Sequence, residues 1–239
     1  MDNYNSYNPS AQSLDMRVSA IMKRVYAKMF LALLVTAAVA YGIYYLAFEQ
    51  NNESVRNLFF QSRTLMWVLL IAELGIVFFI SARLNKLQSS TATGLFYLFA
   101  IINGLTLSFI FLAFKTDSIA KTFLITSATF GAMSVYGYLT NKDLTRIGSF
   151  LFMALIGLII CSVVNLFLHS DQLGWIVSGA GVLIFLGLTA WDTQKIKQMA
   201  QVAPDEMTSK LATIGALSLY LDFINLFLYL LRFFGASRD

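Results

Sequence analysis

The sequence predicts an all-α integral membrane protein, a bundle of seven membrane-spanning helices. Three observations predict it. Of the 239 residues 58% are hydrophobic and only 13% charged, with a mean hydropathy of +0.68, well outside the composition of a soluble globular domain. Apolar runs long enough to cross about 30 Å of hydrocarbon, about 20 residues each, recur along the chain. The connections between them are short and collect the charges and helix breakers.

Residues 1–24 (MDNYNSYNPSAQSLDMRVSAIMKR) are rich in Asn, Ser and Tyr and read as a mobile polar tail ending in cations. Ala38-Val39-Ala40 resembles a signal-peptidase site, but the apolar run around it continues through to Phe48, so it reads as the first span. The spans fall near 27–48, 64–83, 94–114, 118–139, 147–168, 174–194 and 211–234. ENNES (49–53), LNKLQSS (84–90), KTDS (115–118), TNKDLTR (140–146) and HSDQ (169–172) join them, and only 195–210 (KIKQMAQVAPDEMTSK), with Pro204, is longer. No composition shift marks a second domain, so 25–239 reads as one transmembrane domain.

Charge placement orients the bundle. The amino-terminal side gathers Arg17, Lys23, Arg24, Lys28, Arg83, Lys86, Lys142, Arg146, Lys195, Lys197 and Lys210, the majority of the 17 cations, which predicts a cytoplasmic amino terminus. The small net charge of +4 carries no basic stripe, so nucleic-acid binding finds no support. A single cysteine, Cys161 within an apolar run, excludes a disulfide framework and a cysteine metal site. The single histidine, His169, reads as a solvated residue at a helix end beside Asp171. Gly94, Gly104, Gly131, Gly137, Gly148, Gly157, Gly179, Gly181 and Gly187 read as sites of close helix packing, and Trp67, Trp175, Tyr136 and Tyr138 as interface anchors.

Five polar groups fall where hydrocarbon is expected: Glu73, Arg83, Asp192, Asp222 and Asn225. A charge at the centre of a membrane helix costs roughly 2.5 to 3.5 kcal/mol on insertion scales, so each is a candidate functional residue. Asp222 and Asn225 are three apart, hence on one face of the seventh helix, and that face must look inward. Asp192, in GLTAWDTQKIKQM, is placed at the carboxyl end of the sixth helix, where the helix dipole disfavours an anion unless a cation compensates. Arg83 closes the second helix on the same side, so the three charges can meet in the inner half of the bundle. Bland readings stand beside these: Asp192 paired with Lys195 or Lys197 at the interface, Asp222 a protonated packing residue, Glu73 a neutral acid hydrogen-bonded to a neighbouring helix.

These residues also carry a resemblance. GLTAWDTQKI (187–196) and ALSLYLDFINLFLYLLRFFG (216–235) resemble the two motifs of the Bax inhibitor-1 family, also called the transmembrane BAX-inhibitor-motif family, and its bacterial branch most closely. The resemblance covers about 25 to 235; Trp191 stands where many members carry Tyr, and the arginine near the end of the second helix aligns approximately with Arg83. It implies a bundle with the last helix central, a pH-sensitive pair formed by Asp192 and Asp222, a latch from Arg83, and a pH-dependent calcium leak. It also implies regulation of a membrane protease among bacterial relatives and suppression of cell death among eukaryotic ones.

The chemistry of the residues fits a weak calcium site. Calcium takes six to eight oxygen ligands, and two carboxylates with Asn225, carbonyls or waters supply part of that shell. Weak binding suits a permeant ion better than a stored one. Carboxylates sharing a site titrate as a unit, so protons and calcium compete for it.

Rival functions are separable by sequence. An intramembrane aspartyl protease carries Gly-x-Gly-Asp at its second aspartate, whereas this chain has Leu219-Tyr220-Leu221-Asp222 and no proline after Pro204. Serine and zinc intramembrane proteases lack their histidine here, so no enzymatic activity and no cofactor are expected. A proton-coupled transporter finds no clear inverted repeat. The strongest rival is a scaffold that regulates another membrane protein without transporting anything. The expected setting is the lipid bilayer of a bacterial inner membrane.

Overall fold

The computed structural model describes residues 9–83 and 87–238. Among them seven long helices form a bundle: α1 Pro9–Tyr44, α2 Arg63–Arg83, α3 Ser89–Leu107, α4 Thr116–Leu139, α5 Thr145–Leu168, α6 Asp171–Val202 and α7 Thr208–Phe234. A π-turn over Tyr45–Glu49 prolongs α1, and short helical turns cover Glu53–Arg56, Asn57–Gln61, Ile110–Ala113 and Asp205–Met207. No β-strand occurs among the described residues, only one bridge between Phe114 and Ser237. Residues 1–8 of the expected tail and Lys86 of the 84–90 connection lie outside the described residues.

The expected polar tail is corrected from Pro9 onward. Val18, Ile21, Met22 and Val25 recur at helical spacing and are buried, so α1 begins well before the expected span at 27–48 and joins the core. Arg17 ties this extension to the α6–α7 connection, donating to the Ala203 carbonyl and pairing with Asp205 at 3.1 Å.

Local chemistry sets the helix ends. Ser170 caps α6, its hydroxyl accepting from the Leu173 amide at 3.3 Å, while His169 in the left-handed region (φ 48°) ends α5. Asp143 accepts from the Thr145 amide at 2.9 Å just before α5. Gln194 of α6 fastens the loop before α5, donating to the Lys142 carbonyl and accepting from the Leu144 amide, each at 2.9 Å.

At the centre stands α7, packed by α6, α1, α4 and α3. Ala212, Ala216, Leu219, Tyr220, Leu226 and Leu231 lose almost all contact with the surroundings. Phe96 and Phe99 meet the Tyr220 ring edge-on at 5.7 Å, and Phe123 and Phe130 meet Phe223 likewise. The other two helices are peripheral: α2 packs mainly on α3 and α5 mainly on α6. Their outer faces expose Leu74, Phe78, Phe150, Met153 and Phe167, an apolar belt suited to hydrocarbon. The central position of the last helix is therefore as the resemblance implied.

Among the described residues six helices are long and apolar enough to cross a membrane, covering Ser13–Glu49, Thr64–Arg83, Ser89–Ala113, Thr145–Leu168, Asp171–Val202 and Asp205–Phe234. The expected span at 118–139 corresponds to α4, which is not among the six. Its hydroxyl-rich sequence is the reason, and Thr126, Ser127 and Thr129 turn their hydroxyls back onto carbonyls one turn earlier.

The predicted glycine packing holds at some positions. A Cβ at Gly104 would meet Thr36 and Val39 of α1, at Gly137 the Ala190 backbone, at Gly148 the Trp191 ring, at Gly181 Tyr229 and at Gly187 Leu151. Gly94, Gly131 and Gly157 face open space, and Gly179 makes only an ordinary contact with Phe233.

Candidate functional site

The site is built by the α6–α7 hairpin. The sequence reading ended the sixth helix near 194, but α6 continues to Val202, because Ile196 and Ala200 keep an apolar face buried while lysines and glutamines take the other. Asp192 thus lies ten residues inside its helix, and the dipole argument based on a carboxyl-terminal position is corrected. Pro204 turns the chain and α7 starts at Thr208. Ten residues of α7, about 15 Å of rise, reach Ser218 at the level of Asp192, and one further turn reaches Asp222.

Asp192 is half-buried. Its carboxylate faces the Ser218 hydroxyl of α7 and feels the charge of Lys195 on its own helix. Neither lysine weighed as its partner closes an ion pair with it: Lys195 Nζ lies over the Trp191 ring, 4.8 Å from the centroid, and Lys197 Nζ donates to the Tyr138 carbonyl at 2.7 Å. Trp191 in turn packs on Gly148 of α5, and Thr193 reaches Ser134 of α4 at 3.4 Å, so both neighbours of Asp192 are anchored.

Asp222 is 5% exposed, and its Oδ2 is buried with no hydrogen-bond partner. The charged group acting on it is Asp192, which places the two carboxylates within electrostatic reach of each other. Two of the five candidates are thereby brought together.

The other three go elsewhere. Asn225 shares the helix face of Asp222 but donates to its own Leu221 carbonyl at 2.8 Å. It lines a polar recess of about 560 Å³ at the end of the bundle opposite the amino terminus, together with Ser162, His169, Asp171, Tyr229 and Arg232. Glu73 faces Asn103 and Thr106 of α3 and belongs to a separate network. Arg83 is exposed, its guanidinium 6.0 Å from the centre of the Phe79 ring. The expected convergence of Arg83 with the two aspartates is corrected: α2 packs on α3 at the edge of the bundle, so its terminal arginine turns outward.

Sequence reasoning missed Ser218, although it stands four residues before Asp222 on the same helical face. It also missed Tyr220, Asn103 and Thr36, uncharged groups inside apolar runs whose pairing depends on which helices are neighbours.

Among the described residues no cluster of three or more His, Cys, Asp or Glu side chains could hold a metal ion. Two carboxylates with open coordination can attract a divalent cation or share a proton, and they leave most of a calcium shell to water or carbonyls.

Comparison with known proteins places this architecture. The model of the family described as inhibitor of apoptosis-promoting Bax1 matches residues 18–239. The inner membrane protein YbhL of Escherichia coli K12 is 47% identical over 220 residues, spanning 91% of this chain and 92% of its own. An uncharacterized protein of Rickettsia prowazekii is 44% identical over 229 residues, 95% of this chain and 94% of its own, and one of Borreliella burgdorferi is 43% identical over 220 residues. The chain is a membrane protein that belongs to the Bax inhibitor-1 family.

Proposed function

We propose that this chain is a pH-sensitive calcium leak pathway of a bacterial inner membrane, with Asp192 and Asp222 as the site where protons and calcium compete. The observation that carries the reading is the buried, unpartnered Oδ2 of Asp222 on the central helix, within electrostatic reach of Asp192. A buried carboxylate without a partner is costly, so its retention favours a ligand that comes and goes. The name of the Escherichia coli relative supports the inner-membrane setting, and the excess of cations at the amino-terminal end supports a cytoplasmic amino terminus.

In this reading calcium enters by the polar recess at the far end, passes Asn225, and meets Asp222 and then Asp192 on the way to the α6–α7 connection. Both groups lie on helices packed against each other at the centre of the bundle, and the gate in this reading is electrostatic: ionised carboxylates attract the cation and protonated ones do not. Arg83 has no part in the arrangement described, and no catalytic step is required. Purified protein in liposomes should conduct calcium with a pH dependence that Asp192→Asn and Asp222→Asn each alter. Flux indifferent to both substitutions would overturn the reading.

A further inference from the structure

Glu73 serves nothing in the calcium reading, yet it meets a polar chain that crosses four helices. Its carboxyl, with Oε1 buried and unpartnered, faces the Asn103 amide and the Thr106 hydroxyl of α3. Tyr220 of α7, wholly buried, places its hydroxyl 2.9 Å from Asn103 Oδ1. Thr36 of α1 lies 2.7 Å from the same hydroxyl and 2.9 Å from the Ala100 carbonyl of α3. Tyr220 and Asp222 are two residues apart, about 200° around α7, so this chain lies behind the helix that carries the acid pair.

The polar chain has two wirings, one short of a hydrogen and one complete. The phenol has one proton and the threonine has one. If Tyr220 donates to Asn103 Oδ1, Thr36 can serve Tyr220 or the Ala100 carbonyl but not both, and one of the three close oxygen contacts lacks a hydrogen. If the Asn103 amide turns by half a revolution, Nδ2 donates to Tyr220, Tyr220 to Thr36 and Thr36 to Ala100, and every contact is satisfied. That turn presents Asn103 Oδ1 to Glu73, where only a protonated carboxyl can donate to it. The ionised acid demands the first wiring and the protonated acid the second; nitrogen and oxygen of the amide fill the same volume, so packing opposes neither.

The surroundings leave Glu73 as the group that decides. Tyr220 is the titratable side chain facing it from α7. On α3, Tyr97 lies six residues before Asn103, and α3 carries no charged residue. The Asn57–Gln61 turn that touches α2 has no titratable side chain. On α1, Lys28 is eight residues before Thr36, about 12 Å along the helix, and is held by Thr93 and Thr213 at 2.8 and 2.7 Å. Arg83 lies ten residues along α2, about 15 Å away, and turns outward.

We infer that Glu73 is a second proton-binding site, separate from the aspartate pair, whose occupancy is passed through a half-turn of the Asn103 amide to Tyr220 on the central helix and Thr36 on α1. Proton uptake moves the Tyr220 donor from an amide oxygen to a hydroxyl and fixes Thr36 to Ala100, drawing α1 onto α3. It stands independently of calcium conduction.

Infrared difference spectra of the full chain in lipid nanodiscs, recorded between high and low pH, test it. The expected result is a carbonyl band of a protonated carboxylic acid that is lost in Glu73→Gln, accompanied at the same midpoint by a tyrosine band shift that is lost in both Glu73→Gln and Tyr220→Phe. The double variant Asp192→Asn/Asp222→Asn should keep both signals. An acid band that survives Glu73→Gln, a Glu73 band without the Tyr220 shift, or loss of both signals in the double aspartate variant would each overturn the inference.

Discussion

Asp192 of α6 faces Ser218 of α7 one helical turn before Asp222. This contact aligns the two helices of the hairpin so that two acids from different helices share one place in the bundle. A hydroxyl so placed can donate to the carboxylate when a cation is bound there, and a hydrogen bond to a charged group contributes about 1.5 to 3 kcal/mol. Ser218→Ala should therefore weaken calcium binding at the pair by roughly tenfold, read as the calcium concentration needed for half-maximal flux in liposomes. An unchanged value would show that Ser218 does not support the ionised acid.

Arg83 offers the opposite expectation. Its side chain is exposed at the end of a peripheral helix. Arg83→Gln should leave the pH profile of calcium flux in place, with any change confined to amplitude through altered lipid contact. A profile displaced as far as that of Asp192→Asn would return the arginine to the pair.

Packing next to the site is tight enough to test by one methyl group. A Cβ at Gly137 of α4 would fall on the Ala190 carbonyl of α6, backbone that cannot step aside, two residues before Asp192. Gly137→Ala should lower stability by about 1 to 3 kcal/mol through overpacking, measured as a loss of thermal stability in detergent. The same substitution at Gly157, which faces open space, should have little effect.

Asp143, in the loop that Gln194 fastens to α6, titrates outside the membrane segments. Hydrogen bonds from the Thr145 hydroxyl, then from the Thr145 amide, hold its carboxyl below the ordinary carboxylate range. A depressed folded value means that the stabilising bond is fully present above the unfolded pKa, about 3.9, and is lost as pH falls through the lower folded value. Carboxyl carbon NMR should give a midpoint below that of a free aspartate, moving up toward it in Thr145→Val. A wild-type midpoint at the ordinary value would contradict the hydrogen bonds.

Much of the architecture was legible because hydrocarbon imposes simple demands on sequence. A carboxylate inside ALSLYLDFINLFLYLLRFFG has to face inward, and that marked Asp222 and the central helix together. The length of α6 was not legible from apolarity, since KIKQMAQV is polar yet keeps Ile196 and Ala200 on a buried face. Pro9 to Arg24 misled for the same reason, with Val18, Ile21 and Met22 spaced among polar residues. Arg83 was misplaced because the position of a residue along its helix fixes a level and not a neighbour. Tyr220 and Asn103 stayed invisible because their chemistry arises only when three helices meet.

The central claim is that Asp192 and Asp222 act as one unit. It is tested most directly by calcium flux in proteoliposomes across a pH series, comparing the wild type, Asp192→Asn, Asp222→Asn and the double variant. Removing either acid should abolish most of the pH dependence, and removing both should add little more, because a shared site is broken once. Additive effects of the two substitutions, each shifting the profile independently, would contradict the account.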